Sequence, residues 1–249
     1  MNVFAMLTGL IGGLGLFIYG MNLMGDGLQN VAGERVKVFF EKVTSNPIKG
    51  VLTGVVVTGV IQSSSATTVM VVGFVNAGLM TLTQAAGVIM GANIGTTVTG
   101  QLVAFNVTAG APLFVGVGTA IVLFAKKKKT KEIGNIILGF GILFMGMEIM
   151  KEAMAPLGQS EAFKSLALSL SHNVFLGIVV GMGMTAIVQS SSATIGILIA
   201  LSSNGVLPLS AALPILFGDN IGTCVTALLA SIGASKNARK AALFHLTFN

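Results

Sequence analysis

Two short polar islands in an otherwise apolar chain carry the groups that could do chemistry. QSSSAT occurs at residues 62–67 and again, letter for letter, at 189–194. The first offers Gln62, Ser63, Ser64, Ser65 and Thr67, and the second Gln189, Ser190, Ser191, Ser192 and Thr194. A further pair follows each: GANIGTTVT at 91–99, with Asn93 and Thr96, and GDNIGTCVT at 218–226, with Asp219, Asn220 and Thr223. These are neutral amides and hydroxyls, joined in the second copy by one acid. No Ser/His/Asp set, metal-ligand cluster or nucleotide loop accompanies them, so the pattern points to binding and not to an enzyme. Hydroxyls and freed backbone N–H groups suit an anion, whereas carbonyl, hydroxyl and carboxylate oxygens suit a hard cation such as Na⁺.

The rest of the chain must place those groups in a bilayer. Of 249 residues, 53% are hydrophobic and only 9% charged, with a mean hydropathy of +0.91. A soluble chain of this size carries roughly a quarter of its residues charged. The composition therefore predicts an all-α integral membrane protein. Thirty-three glycines and no tryptophan favour closely packed helices over a barrel with aromatic girdles. The net charge of +6 is assigned to membrane orientation and not to nucleic acid. A single cysteine, Cys224, permits no internal disulfide. The apolar stretch 3–24 lacks a basic leader region and is read as a span.

Further spans are predicted at 82–105, 107–125, 132–150 and 207–232. Segments 31–43 and 151–171 mix charge with apolar residues and read as interfacial. LFHLTFN at 243–249 reads as the start of another span, so the chain is expected to continue. Two stretches fit no simple span. Residues 47–80 and 173–206 are each apolar halves divided by QSSS, and 15 residues of helix reach only about 22 Å of a ~30 Å hydrocarbon core. Each is therefore predicted to be a re-entrant hairpin whose turn faces protein or a wet cavity, because unpaired backbone in lipid is costly.

These elements form a duplicated unit. Aligning 44–99 on 171–226 gives 20 identities in 56 positions at a constant offset of 127. Repeat 1 is assigned to 1–125 (hairpin 47–80, span 82–105 broken at NIGT) and repeat 2 to 132–249 (hairpin 173–206, span 207–232 likewise broken). The basic loop 126–131 joins them. Three predicted spans separate the two QSSS turns, an odd number, which inverts the second copy. With the lysine loop on the cytoplasmic side of the plasma membrane, 12 of the 14 basic residues fall inside. The hairpin tips are then expected to meet near the midplane from opposite sides, the plan of secondary transporters.

Serine is a good N-cap, so each returning half-helix should begin within the serine run and aim its positive end at the membrane centre. A strongly hydrated anion such as phosphate needs compensating charge at that depth. Co-bound Na⁺ would supply it, and each ligand would then favour the other. Asp219, matched by Ala92 in the first copy, is the expected sodium ligand. The glycines of the hairpins (Gly50, Gly54, Gly177, Gly181) read as packing positions. Asp26 and Glu148 read as interfacial. Gln101 could line the path or face a neighbouring helix, while His172 and His245 read as structural.

At QSSSATT…GANIGTTVT and QSSSATI…GDNIGTCVT the sequence resembles the type II sodium–phosphate cotransporter family, bacterial members included. The resemblance runs from about Leu10 to Asn249. It implies Na⁺-driven phosphate symport by two inverted repeats, with Gln62, Ser63, Ser64, Ser65, Asn93 and Thr96 and their mates Gln189, Ser190, Ser191, Ser192, Asn220 and Thr223 holding substrate and Na⁺. It also implies further spans and a cytoplasmic regulatory domain that this sequence lacks. Expected partners are inorganic phosphate, Na⁺ as the coupling ion and the lipid bilayer, with no covalent cofactor and no nucleic acid; a homodimer is allowed. The competing readings are a carrier of another oxyanion or a dicarboxylate, and a membrane phosphate sensor that does not transport.

Overall fold

The computed structural model describes residues 3–32, 47–104, 108–156 and 160–249, and these contain helices and no strand. In chain order the helices are α1 (Val3–Ala32), α2 (Pro47–Ile61), α3 (Ser64–Asn76) and α4 (Leu82–Ala104), then a 3₁₀ turn (Thr108–Gly110). They continue as α5 (Ala111–Phe124), α6 (Lys128–Met154), α7 (Glu161–His172), α8 (Val174–Val188), α9 (Ser191–Ser203), α10 (Leu209–Ala230) and α11 (Lys236–Phe248). Three of them, α1, α6 and α10, are long and apolar enough to cross a membrane. Large apolar side chains such as Phe4, Ile11, Phe124 and Ile187 stand exposed, which in an integral membrane protein is the surface that lipid covers. The interfacial segment expected at 31–43 lies, from residue 33 on, outside the described residues.

QSSS divides two pairs of short helices, α2 from α3 and α8 from α9, each too short to span. Two expectations need correction. The spans predicted to break at NIGT do not break: α4 and α10 are continuous helix through 91–99 and 218–226. Their glycines serve close approach instead. A Cβ on Gly91 would collide with the carbonyl of Val51 on α2, and one on Gly54 with that of Val88 on α4. At the same offset, Gly218 meets the carbonyl of Ile178 and Gly181 that of Ile215. Two helices that touch backbone to backbone gain dispersion contact at that point. Unwinding either would leave peptide groups unpaired in apolar surroundings. The basic loop is also shorter than expected, since α6 begins at Lys128 with Lys127 as its N-cap. Lys128, Lys129 and Lys131 thus occupy the first turns of a helix, against the dipole preference, but in full exposure.

The chain groups into two compact units, which interleave the sequence copies. The first comprises Met1–Gly27 with Val103–Gly222, and the second Leu28–Leu102 with Thr223–Asn249.

In the first unit α1 and α6 pack antiparallel along their glycines. A Cβ on Gly13 would strike the carbonyl of Gly146 and one on Gly20 that of Gly139, and the reverse clashes occur on the partner helix. Gly139 and Gly146 follow Gly13 and Gly20 by 126 residues. The two helices thus meet glycine to glycine at both crossings. Phe17, fully buried, lays its ring against Gly196 of α9 and ties this pair to the second hairpin.

In the second unit the first hairpin packs on α11. Val71, Val72 and Val75 of α3 and Ala85 and Ile89 of α4 share a core with Ala238, Ala241 and Ala242. Ser235 caps α11, its Oγ accepting from the N–H of Ala238 at 3.4 Å, and its own N–H donates to Asn76 Oδ1 at 2.8 Å.

Candidate functional site

In the second unit, α2 ends where Gln62 turns left-handed at φ 59°. Only glycine adopts that conformation freely, so this residue is held there by its bonds. Its N–H donates to Thr58 O at 2.7 Å, its Nε2 donates to Gly59 O, and its Oε1 accepts from Thr99 Oγ1 at 2.8 Å. Ser63 is extended (φ −145°, ψ 105°) and caps α3, its Oγ accepting from Ala66 N–H at 3.1 Å. Behind the cap runs a hydroxyl chain: Thr58 Oγ1 donates to Thr67 Oγ1 at 3.0 Å, and Thr67 Oγ1 donates to Ser63 O at 2.9 Å. Thr58, Thr67 and Thr99 are buried, as are Gln62 and Ser64; Ser65 is half-buried.

The first unit repeats this tip almost atom for atom. Gln189 is left-handed at φ 56°, its N–H on Thr185 O at 2.7 Å and its Nε2 on Ala186 O at 2.6 Å. Ser190 (φ −145°, ψ 104°) caps α9 through Ala193 N–H at 3.3 Å. Thr185 and Thr194 meet through their hydroxyls at 2.9 Å. What differs is the acid. Asp219, fully buried on α10, accepts from Thr185 Oγ1 at 2.5 Å.

That acid draws on both threonine hydroxyls, Thr185 and Thr194, which also touch one another at 2.9 Å. The Thr194 Oγ1 to Ser190 O distance is 3.5 Å, against 2.9 Å for its mate in the first copy. The result is a compact group of oxygens on α8, α9 and α10: the Asp219 carboxylate, two threonine hydroxyls and a backbone carbonyl at a helix start.

The expected site residues therefore divide. Gln62, Ser63 and Thr67 are joined with one another through Thr58 and Thr99, and Ser190, Thr194 and Asp219 through Thr185. Ser191 is half-buried and Ser192 buried at the start of α9. Asn220 is exposed on α10, and Thr223 is buried in the second unit. Thr96 Oγ1 bonds back to Ala92 O at 3.2 Å, a local helix bond. Asn93 is turned away from the tip. It lies two residues, or about 200° of helix, from both Gly91 and Gly95, which face α2. Its carboxamide instead meets α11: Nδ2 donates to Asn249 Oδ1, and Oδ1 lies 3.4 Å from His245 Nε2. Thr58 and Thr185 were absent from the expected set, although their identity in the repeat alignment, four residues before each glutamine, was the signal that could have found them.

Comparison with known proteins places the molecule. The Na⁺/Pi-cotransporter family profile matches residues 16–152 and 153–248, and the chain belongs to that family, a family of membrane transporters. It is 31% identical to YqeW of Bacillus subtilis over 94% of this chain and 76% of that protein. A Salmonella typhimurium protein named for inorganic phosphate export, YjbB, is 27% identical over 97% of this chain and 45% of its own length. The chain thus spans less than half of that relative. The human sodium-dependent phosphate transport protein 2B is 40% identical over 97 residues, 38% of this chain and 14% of that one. No solved structure matches the chain significantly.

Proposed function

We propose that this protein carries inorganic phosphate across the plasma membrane by alternating access, coupled to Na⁺. The observation that carries the reading is the duplicated tip: a left-handed glutamine, a serine cap and a helix start, built twice at an offset of 127 residues. The N–H groups of the first turns of α3 and α9 suit phosphate oxygens, with Gln62, Ser63, Ser64, Ser65 and Thr67 and with Gln189, Ser190, Ser191, Ser192 and Thr194 as the groups that bind substrate and ion. Asp219, with Thr185, Thr194 and Ser190 O, supplies the hard oxygens that Na⁺ prefers, and a cation there would offset the phosphate charge. Thr96, Asn220 and Thr223 remain candidate ligands of the second rank. Asn93 has one N–H and one lone pair beyond those its α11 contacts use.

Inversion of the copies is part of the proposal. It is supported by α1 and α6, whose Gly13 and Gly20 recur 126 residues on as Gly139 and Gly146 and which pack antiparallel there. The cytoplasmic side is proposed for the lysines at the start of α6, because 12 of the 14 basic residues then share that side, as the positive-inside rule favours. A coupled carrier works in whichever direction the gradients set, so the relatives named for phosphate export and for sodium-dependent transport are both compatible with one mechanism. Purified protein in vesicles provides the test. An inward Na⁺ gradient should drive labelled phosphate above equilibrium, unlabelled phosphate should compete better than sulfate or a dicarboxylate, and collapse of the gradient should abolish accumulation. Saturable binding with no accumulation would replace the reading with a sensor. Stronger competition by another anion would change the substrate.

A further inference from the structure

Outside the hairpin tips, a polar cluster around a buried histidine lies wholly within the second unit and meets the proposed site at Asn93 alone. His245 of α11 is fully buried. Its Nε2 lies 3.4 Å from Asn93 Oδ1, and its Nδ1 has no hydrogen-bond partner among the described residues. Asn93 Nδ2 donates to Asn249 Oδ1. Asn249 Nδ2 donates to His245 O at 2.7 Å and points to Cys224 Sγ at 3.5 Å, and the Cys224 thiol, also buried, is 3.5 Å from His245 O. One network thus joins α11 to α4 at the NIGT asparagine and to the end of α10.

The network fixes its own proton positions. A neutral imidazole carries one N–H. On Nδ1 it would be a buried donor with nothing to receive it; on Nε2 it meets the Asn93 carbonyl. Asn93 then presents Oδ1 to the histidine and Nδ2 to Asn249, and Asn249 must aim its own Nδ2 at the carbonyl of His245. No member can flip its amide without breaking two contacts. The repeat mate of Asn93, Asn220, stands exposed on α10, so the two NIGT amides are not equivalent.

We propose that His245 is a positioning residue: through Nε2 it sets the orientation of the Asn93 carboxamide, and with Asn249 it clasps α11 onto α4 over Cys224. The claim rests on the phosphate-carrier reading for its functional consequence but not for the clasp itself, so two measurements separate them. The first uses the native thiol, the sole cysteine of the chain. In detergent, full-length protein should react slowly with N-ethylmaleimide, His245→Ala and Asn93→Ala should each react about tenfold faster, as loss of one buried hydrogen bond allows, and His245→Gln, which keeps an N–H donor, should return most of the protection. If His245→Ala leaves the labelling rate unchanged, or if His245→Gln reacts as fast as His245→Ala, the clasp is wrong whatever the protein transports. The second is phosphate uptake. His245→Ala should raise the KM for phosphate several-fold with a smaller change in maximal rate, and His245→Gln should restore it. An unchanged KM in a variant whose thiol has become reactive would overturn the positioning role. Wild-type vesicles that do not accumulate phosphate would overturn the carrier reading and leave the labelling result to decide the clasp.

Discussion

The two hairpin tips are one design executed twice with a single functional exception. Backbone angles agree within a few degrees: φ 59° against 56° at the glutamines, and −145° at both serine caps. The glycine crossings behind them match at Gly54 and Gly181, Gly91 and Gly218, and Gly95 and Gly222, whereas Gly87 of the first copy gives way to Pro214 in the second. Yet Ala92 of the first copy is Asp219 in the second, and that substitution turns a hydroxyl chain ending on a backbone carbonyl into one ending on a carboxylate. The residues that build the helix break are the same in both copies, and the acid that the proposed cation site depends on stands in one alone. The first tip is a closed network, in which Thr99, Gln62, Thr58, Thr67 and Ser63 satisfy one another. The second is an oxygen cluster around a buried acid, which in its ionised form is expensive in a membrane unless a cation answers it.

The comparison breaks most severely where the copies agree. Gly54→Leu and Gly181→Leu each force a side chain into a carbonyl on the facing helix, and each is expected to destabilise the fold by about 3 kcal/mol, read as a lost monodisperse peak or a lowered melting temperature in detergent. If only one of the pair is damaging, the crossings are not equivalent.

Next comes the position where the copies differ. Asp219→Ala makes the second tip resemble the first and is expected to raise the Na⁺ concentration for half-maximal phosphate uptake by about 10-fold or more, the scale of losing a charged ligand. Asp219→Asn, which keeps the shape but not the charge, should behave similarly. Unchanged Na⁺ dependence in both would remove Asp219 from the cation site.

The threonine pair sharpens the contrast. Thr185→Val removes a donor from a buried carboxylate and is expected to cost about 2 kcal/mol, whereas Thr58→Val removes a neutral bond and should cost about 1 kcal/mol. Equal losses in a denaturation series would mean that Asp219 does not polarise its chain. The smallest effects belong to the caps. Ser63→Ala and Ser190→Ala should each cost about 1 kcal/mol and to the same extent, since both accept one helix N–H in the same geometry.

How much of this was legible beforehand depended on the kind of signal. The pairs of short helices were readable because each apolar half is too short to span and QSSS interrupts both. The serine caps followed from residue type alone. The continuity of α4 and α10 was not readable, because glycine at 91, 95, 218 and 222 is equally compatible with an unwound helix and with a close crossing. Only the carbonyls of Val51 and Ile178 lying against Gly91 and Gly218 decide between them. Asn93 was matched to Asn220 by sequence, and its engagement by His245 and Asn249, more than 150 positions away, leaves no trace in local spacing. Thr58 and Thr185 were legible in principle, since polar identity between two apolar copies rarely survives without a bond to maintain.

The account stands on both tips taking part in transport, and one side-by-side experiment addresses it most directly. Wild-type, Ser64→Ala and Ser191→Ala proteins would be reconstituted into vesicles and assayed for Na⁺-driven uptake of labelled phosphate at limiting phosphate. Both substitutions are expected to reduce initial uptake several-fold while leaving reconstituted protein levels unchanged. Full activity in either variant would show that its tip takes no part in transport and would contradict the account.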